Sequence, residues 1–134
     1  MIIEGKIWKF GNDIDTDQII PTQYLTLPTL SEMAKYAMEP QDPEFAGNFK
    51  MGDIIVGGKN FGCGSSREQA PAVLKELGVK VIIAESFARI FFRNCINLGI
   101  LLIEIKDTSS FKQGDTASIN TEKSLVEYNG SSFG

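Results

Sequence analysis

The stretch "DIIVGGKNFGCGSSREQAPAVLKELGVKVIIAE", residues 53–85, decides the fold. It opens on a short apolar run bounded by glycines, the pattern of a buried strand. It closes on a second such run, 79–85. Between them, 66–78 reads as a helix ending at Gly78, with Leu74 and Leu77 turned inward. Strand, helix and strand at this spacing imply two parallel neighbours joined by a right-handed crossover.

Outward from this unit the pattern continues. "SFARIFFRNCINLG", 86–99, reads as a second helix with Ser86 as its cap and Gly99 beyond its end. "ILLIEI", 100–105, is a third buried strand, so 53–105 predicts β-α-β-α-β. Upstream, 2–10 alternates and is rich in β-formers, a strand. Residues 11–21 read as a loop closed by Pro21. Residues 29–38 read as a helix, with Thr29 and Glu32 as a capping box and Leu30, Met33 and Ala37 on one face. Residues 39–48 hold two prolines and read as a loop. Downstream, 116–130 predicts a hairpin turning near 121–123. Lys-x-Gly-Asp occurs at 50–53 and again at 112–115, read as turn chemistry used twice. The expectation is an α/β fold forming a single domain over 1–134. A small parallel sheet with its helices carries the terminal strands as a second, mostly antiparallel β layer.

Composition narrows the function. Net charge is −4 and the cations are scattered, which argues against nucleic-acid binding. The longest apolar candidate, "VIIAESFARIFF", is broken by Glu85 and Arg89, so no membrane span is expected. The N-terminus carries an early acid and no cleavage pattern. There is no histidine, which removes Ser-His and Cys-His catalysis within this chain. Two cysteines, Cys63 and Cys95, provide neither a zinc nor an iron–sulfur ligand set. Any metal is therefore expected on another chain, and a reducing, cytoplasmic setting is expected for this one.

Four glycines fall within 57–70. A P-loop is not matched, because Cys63 and Gly64 stand where Lys and Ser/Thr belong. A dinucleotide fingerprint fails at Arg67, and a G-x-S-x-G elbow lacks its second glycine. Cys63 reads as a small residue packed between glycines. Two readings of the serines stay open. Ser65 or Ser66 caps the helix, with Glu68 or Gln69 closing the box. Alternatively, the segment holds an anion: it leaves the carboxyl end of a parallel strand, enters a helix N-terminus, and carries Arg67 as a planar donor fork. In a dry pocket lined by donors a serine alkoxide could take a proton from carbon without histidine.

The segment 57–99 together with "GNDIDTDQIIPTQYL" resembles the small subunit of 3-isopropylmalate dehydratase (isopropylmalate isomerase), the detached swivelling domain of the aconitase superfamily. The resemblance runs to about residue 105 and weakens beyond Asp107, and a terminal helix of the family is expected to be missing from this sequence. It implies a dehydration–rehydration moving a hydroxyl between adjacent carbons of a malate-type substrate, in leucine biosynthesis. It also implies a large subunit holding a [4Fe-4S] cluster, with no cofactor in this chain. Ser65 resembles the alkoxide base. Ser66 and Gly64 resemble pocket-lining backbone, Arg67 the carboxylate-binding arginine, and Asp17 an acidic active-site residue. Tyr24, Leu25, Thr26 and Leu27 correspond to the loop that selects the substrate. None is cationic, which favours an alkyl-substituted malate over a longer tricarboxylic acid. Gln69 departs from the family's histidine, although a glutamine can still close a capping box. Asp13, Asp15 and Asp17 imitate the start of a calcium loop without its glycine and terminal glutamate, and two of them are expected to form turns. Rival readings are a related dehydratase subunit (dimethylmalate, methylated maleate or homoaconitate type) and a carboxylate-binding or regulatory module without catalysis.

Overall fold

A computed structural model describes residues 1–134. Seven strands form one mixed sheet in the order β4-β3-β2-β1-β5-β6-β7. β1 (Ile2–Lys9), β2 (Ile54–Val56), β3 (Val81–Ala84) and β4 (Leu101–Glu104) run parallel. Ile7 lies opposite Ile54, Ile55 opposite Ile82, and Val81 opposite Leu101. β5 (Thr116–Asn120), β6 (Leu125–Tyr128) and β7 (Ser131–Phe133) are antiparallel to their neighbours. The N-terminal strand belongs to both halves. Residues 7–9 of β1 pair with β2, and residues 2–6 pair with β5.

β2 and β3 are buried at every position, because each face has its own cover. On one face Trp8, Ile55 and Ile82 pack with Leu74 of α4 (Gln69–Leu77) and with Phe91 and Cys95 of α5 (Arg89–Leu98). On the other face Ile54, Val81 and Ile83 pack with Ile119, Val126 and Tyr128. The antiparallel half thus folds back over the parallel half, giving the expected β/β/α layering. Each fully buried aliphatic chain is worth about 1.5–3 kcal/mol, so a core on both faces matters greatly for a chain this small. Burial pushes the Cys95 thiol up to about 12, which makes it a packing group. No helix is long and apolar enough to cross a membrane.

Local differences from the sequence reading have identifiable causes. Residues 11–21 are not all loop: α1 (Thr16–Ile19) starts at Asp15, which accepts from the Gln18 N–H while the Gln18 side chain accepts from the Asp15 N–H. α2 (Leu30–Ala34) begins at the expected Thr29 cap but stops early, as Met38 takes a left-handed φ of 62° and donates its N–H to Ile19. A further turn of helix, α3 (Phe45–Asn48), seats Phe45 edge-on against Trp8 and Phe10. β7 follows a reversal at Asn129 and Gly130, both at positive φ. The repeated Lys-x-Gly-Asp is turn chemistry in both places, with Gly52 and Gly114 at positive φ. Asp53 ties its turn down, accepting from the Trp8 Nε1, Lys6 and Lys50 N–H groups.

β1 crosses this turn at Gly5, where a Cβ would overlap the carbonyl of Gly52. Gly5→Ala should therefore lower unfolding free energy by about 1–3 kcal/mol through forced backbone shifts. Gly11→Ala, with open space around it, should be neutral or slightly stabilising. Urea titrations that fix the midpoint and slope separately check both outcomes.

Candidate active site

The site grows from an extension of the sheet past its carboxyl edge. Three segments lie side by side there. Gly62 donates to the Ile14 carbonyl at 2.7 Å, Thr16 donates to the Cys63 carbonyl at 2.9 Å, and Phe61 and Ser86–Ala88 exchange two backbone bonds. Gly62 sits at φ 85°, and any side chain on it would overlap the Phe91 ring. The glycine requirement read in the sequence is thus one of close approach between this segment and α5.

Beyond Gly62 the chain turns out to Ser65 and Ser66. Both are exposed, and neither hydroxyl has a hydrogen-bond partner within the chain. The capping reading is corrected here. α4 begins at Gln69 with Glu68 in the cap position and no side-chain cap, so neither serine caps and Gln69 closes no box. The reason is Pro71. Had the helix begun at Arg67, the Pro71 ring would have met the Arg67 carbonyl one turn back; starting at Gln69 puts Pro71 in the first turn, where proline is tolerated. Ser86 is not a cap either. Its Oγ accepts the Asn60 N–H at 2.8 Å, and α5 starts only after Ala88 because 86–88 are still paired to Phe61.

These two delays shape a cleft of about 280 Å3 between the loop and the second helix. Ser65, Ser66 and Arg67 line one side, and Arg89, Ile90 and Asn94 of α5 line the other. The helix terminus at the cleft is therefore that of α5 and not that of α4. Its first-turn amides have no partner within the helix and carry the positive end of its dipole. Arg89 and Asn94 were missed in the sequence. The signal was available, because both crossovers leave parallel strands at the same sheet edge, where such folds collect ligands.

Arg67 is largely buried. Its Nη1 meets Asp17 Oδ1 at 2.5 Å and donates to the Ile20 carbonyl at 3.1 Å, while Nη2 reaches the Thr22 hydroxyl at 3.5 Å. Two of its five N–H groups are hydrogen-bonded within the chain, leaving donors for a ligand. The exposed Asp17 carboxylate makes this pair worth little for stability, so it acts chiefly on orientation. Asp13 takes a left-handed φ of 56° and Asp15 caps α1, the two turn-forming roles expected.

The candidate selectivity loop is held nearby but does not line the cleft. Tyr24 stacks on Tyr36 at 4.0 Å between centroids and donates to Glu39, whose carboxylate raises the phenol above its usual value. Leu25 and Leu27 pack partly against the core, and Thr26 is exposed. Burial, with Asp15 and Asp13 nearby, pushes the Cys63 thiol up, so it stays protonated. No group of three or more His, Cys, Asp or Glu side chains is placed to hold a metal ion, and a cluster does not fit this chain's own residues.

This mixed fold, with a donor-lined cleft at the carboxyl edge of its parallel strands, matches the swivelling-domain class of the aconitase superfamily in the comparisons that follow. Residues 31–108 match the family model described as the Aconitase C-terminal domain. The chain is 56% identical over 130 residues to the 3-isopropylmalate dehydratase small subunit of Lachnospira eligens, covering 96% of this chain and 79% of that one. It is likewise 56% identical over 125 residues to the methanogen homoaconitase small subunit of Methanothermobacter thermautotrophicus, covering 93% and 72%. The crystal structure of 3-isopropylmalate dehydratase from Methanocaldococcus jannaschii superposes with a TM-score of 0.94 at 45% identity, covering 99% of this chain and 80% of that one. The chain belongs to the family of 3-isopropylmalate dehydratase small subunits, which are hydro-lyase subunits. A small subunit implies a large-subunit partner.

Because neither serine caps a helix, Ser65→Ala and Ser66→Ala should each leave unfolding free energy within about 0.5 kcal/mol of the parent. Asp15→Ala, which removes a true capping box, should cost about 1 kcal/mol. Thermal melts of the three variants separate the two roles.

Proposed function

We propose that this chain is the proton-transferring half of a two-chain enzyme that isomerises 2-isopropylmalate to 3-isopropylmalate by dehydration and rehydration, a step of leucine biosynthesis. One observation carries the reading. Ser65 stands with an unpartnered hydroxyl beside Arg67 in a cleft lined by donors, in a chain with no histidine to act as base.

The substrate carries two carboxylates. Arg67, held in plane by Asp17, takes one through its free N–H groups, with backbone amides at Gly64 and Ser66 beside it. The first turn of α5 and Arg89 face the other. Ser65, as alkoxide, removes the proton from the carbon next to a carboxylate. The hydroxyl departs from the adjacent carbon and leaves a double bond, to which water returns in the opposite sense. A serine in bulk water is far too weak a base for this, so the cleft must be covered and dried.

The cover is the large subunit, which would carry the [4Fe-4S] cluster and supply Lewis acidity to the departing hydroxyl from its own side. The surface of this chain supports that arrangement. Ile90, Phe92 and Ile96 of α5 are 51%, 38% and 49% exposed; Ile90 lines the cleft, and Arg89 and Arg93 lie among the three on the exposed side of the helix. We read 1–134 as one swivelling unit acting in the cytoplasm, a setting in keeping with two unpaired cysteines. An uncharged Leu25-Thr26-Leu27 favours an alkyl side chain on the substrate. The homoaconitase relative at equal identity keeps a homoaconitate-type acid as the alternative. Turnover of both acids by the assembled enzyme decides between them.

The isolated chain should show no turnover, and activity should appear on mixing with the large subunit. Ile90→Asp with Ile96→Asp should abolish co-elution of the two chains without unfolding this one. Turnover by the isolated chain would sink the two-chain reading.

In the assembled enzyme Ser65→Ala should lower kcat by about 10²–10⁴-fold with KM little changed, because the alkoxide acts in the transition state. Arg67→Lys should lower kcat/KM by about 10- to 100-fold, since an ammonium loses the planar fork. Exchange of the substrate's carbon-bound hydrogen with solvent reads the base directly. Wild-type exchange in Ser65→Ala would assign the base elsewhere.

A further inference from the structure

Three polar or charged residues are buried in this chain: Asp53, Thr108 and Thr16. Two serve the sheet. Asp53 anchors the turn beside β1, and the Thr108 hydroxyl bonds the Gly57 carbonyl and the Glu85 carboxylate. Thr16 is different, because it lies at the cleft and spends both of its donors on the serine loop. Its N–H donates to the Cys63 carbonyl at 2.9 Å, and its hydroxyl donates to the Ser65 carbonyl at 2.8 Å.

These two bonds span Gly64, which sits at φ 89° and on its own would leave the serine loop free to swing. A peptide unit is planar, so fixing the Ser65 carbonyl also fixes the Ser66 N–H on its opposite side. The direction of the Ser65 side chain follows from the same restraint. Thr16 is itself rigidly mounted. It is the first residue of α1, behind the Asp15–Gln18 capping box, and its carbonyl accepts the Ile20 N–H. Its β-branch further restricts χ1, which aims the hydroxyl.

We infer that Thr16 is a positioning residue for Ser65, holding the serine loop in its reactive orientation without touching substrate. This rests on the proposed role of Ser65 as base. Thr16→Val keeps the shape and removes the hydroxyl; Thr16→Ala removes both; Thr16→Ser keeps the hydroxyl. The experiment measures kcat, KM and solvent exchange of the substrate's carbon-bound hydrogen in the two-chain enzyme. Thr16→Val and Thr16→Ala should lower kcat and exchange by about 10- to 100-fold, the scale of a small misplacement of a reacting group, with KM within about twofold. Thr16→Ser should restore most of the rate. Co-elution with the large subunit should be unchanged in all three. Should Thr16→Val fail to fold, Thr16→Ala carries the comparison. Wild-type kcat in either hydroxyl-free variant, or no rescue by Thr16→Ser, overturns the inference. Exchange of substrate hydrogen at the wild-type rate in Ser65→Ala overturns the underlying assignment instead, and the two failures are thereby distinguished.

Discussion

The cleft depends on how closely the backbone at Gly62 approaches the ring of Phe91. With no side chain at residue 62, the segment after β2 lies flat on α5, between the backbone of 14–16 and that of 86–88. Those three extended pieces bring the Asp15–Asp17 turn, the serine loop and the first turn of α5 to one place. A methyl group at residue 62 would push α5 away from the serine loop. The two sides of the cleft would then part, and the donors of one would no longer face the hydroxyls of the other.

The electrostatics of the cleft are arranged with little help from burial. Asp17 is exposed and adds almost nothing to stability, yet together with the Ile20 carbonyl and Thr22 it holds the guanidinium of Arg67 in one plane. The serine hydroxyls have no hydrogen-bond partners within the chain, and both residues are exposed. Taken alone, the chain therefore displays an exposed, unpartnered serine hydroxyl at residue 65, beside a helix whose exposed side carries Ile90, Phe92 and Ile96 interleaved with Arg89 and Arg93. Both features make physical sense when a second chain supplies the cover. In the proposed assembly, drying the cleft would remove water competing for a Ser65 alkoxide and strengthen each donor facing it. The same closure would hide Ile90, Phe92 and Ile96.

Some of the site was legible in the residues and some was misread for reasons that can be named. Ser65, Ser66 and Arg67 line one cleft, and Asp17 pairs with Arg67 beside it. The helix boundary was misplaced because Ser-x-x-Glu and Ser-x-x-Gln satisfy the capping pattern, while Pro71 forbids the earlier start. Ser86 looked like a cap until lateral pairing with Phe61 kept 86–88 extended, an interaction between residues far apart in the chain. The Asp15–Gln18 box and the Asn129–Gly130 reversal were both written in short local patterns, and reading them required no tertiary information.

The sequence by itself determined the order of strands and helices from 53 to 105, the parallel pairing that follows from short crossovers, and the chemistry available at the serine segment. These rest on period, turn residues and residue type, all local properties. Tertiary structure alone decided that β1 would be shared between the two halves of the sheet, since that depends on which edges remain unpaired once β2 to β4 have assembled. It alone decided that α5, not α4, would offer its N-terminus to the cleft, and that Thr16 would clamp the serine loop. Each of those outcomes is a contact between segments tens of residues apart. Such contacts are selected by the packing of whole faces against one another, and no local pattern encodes them.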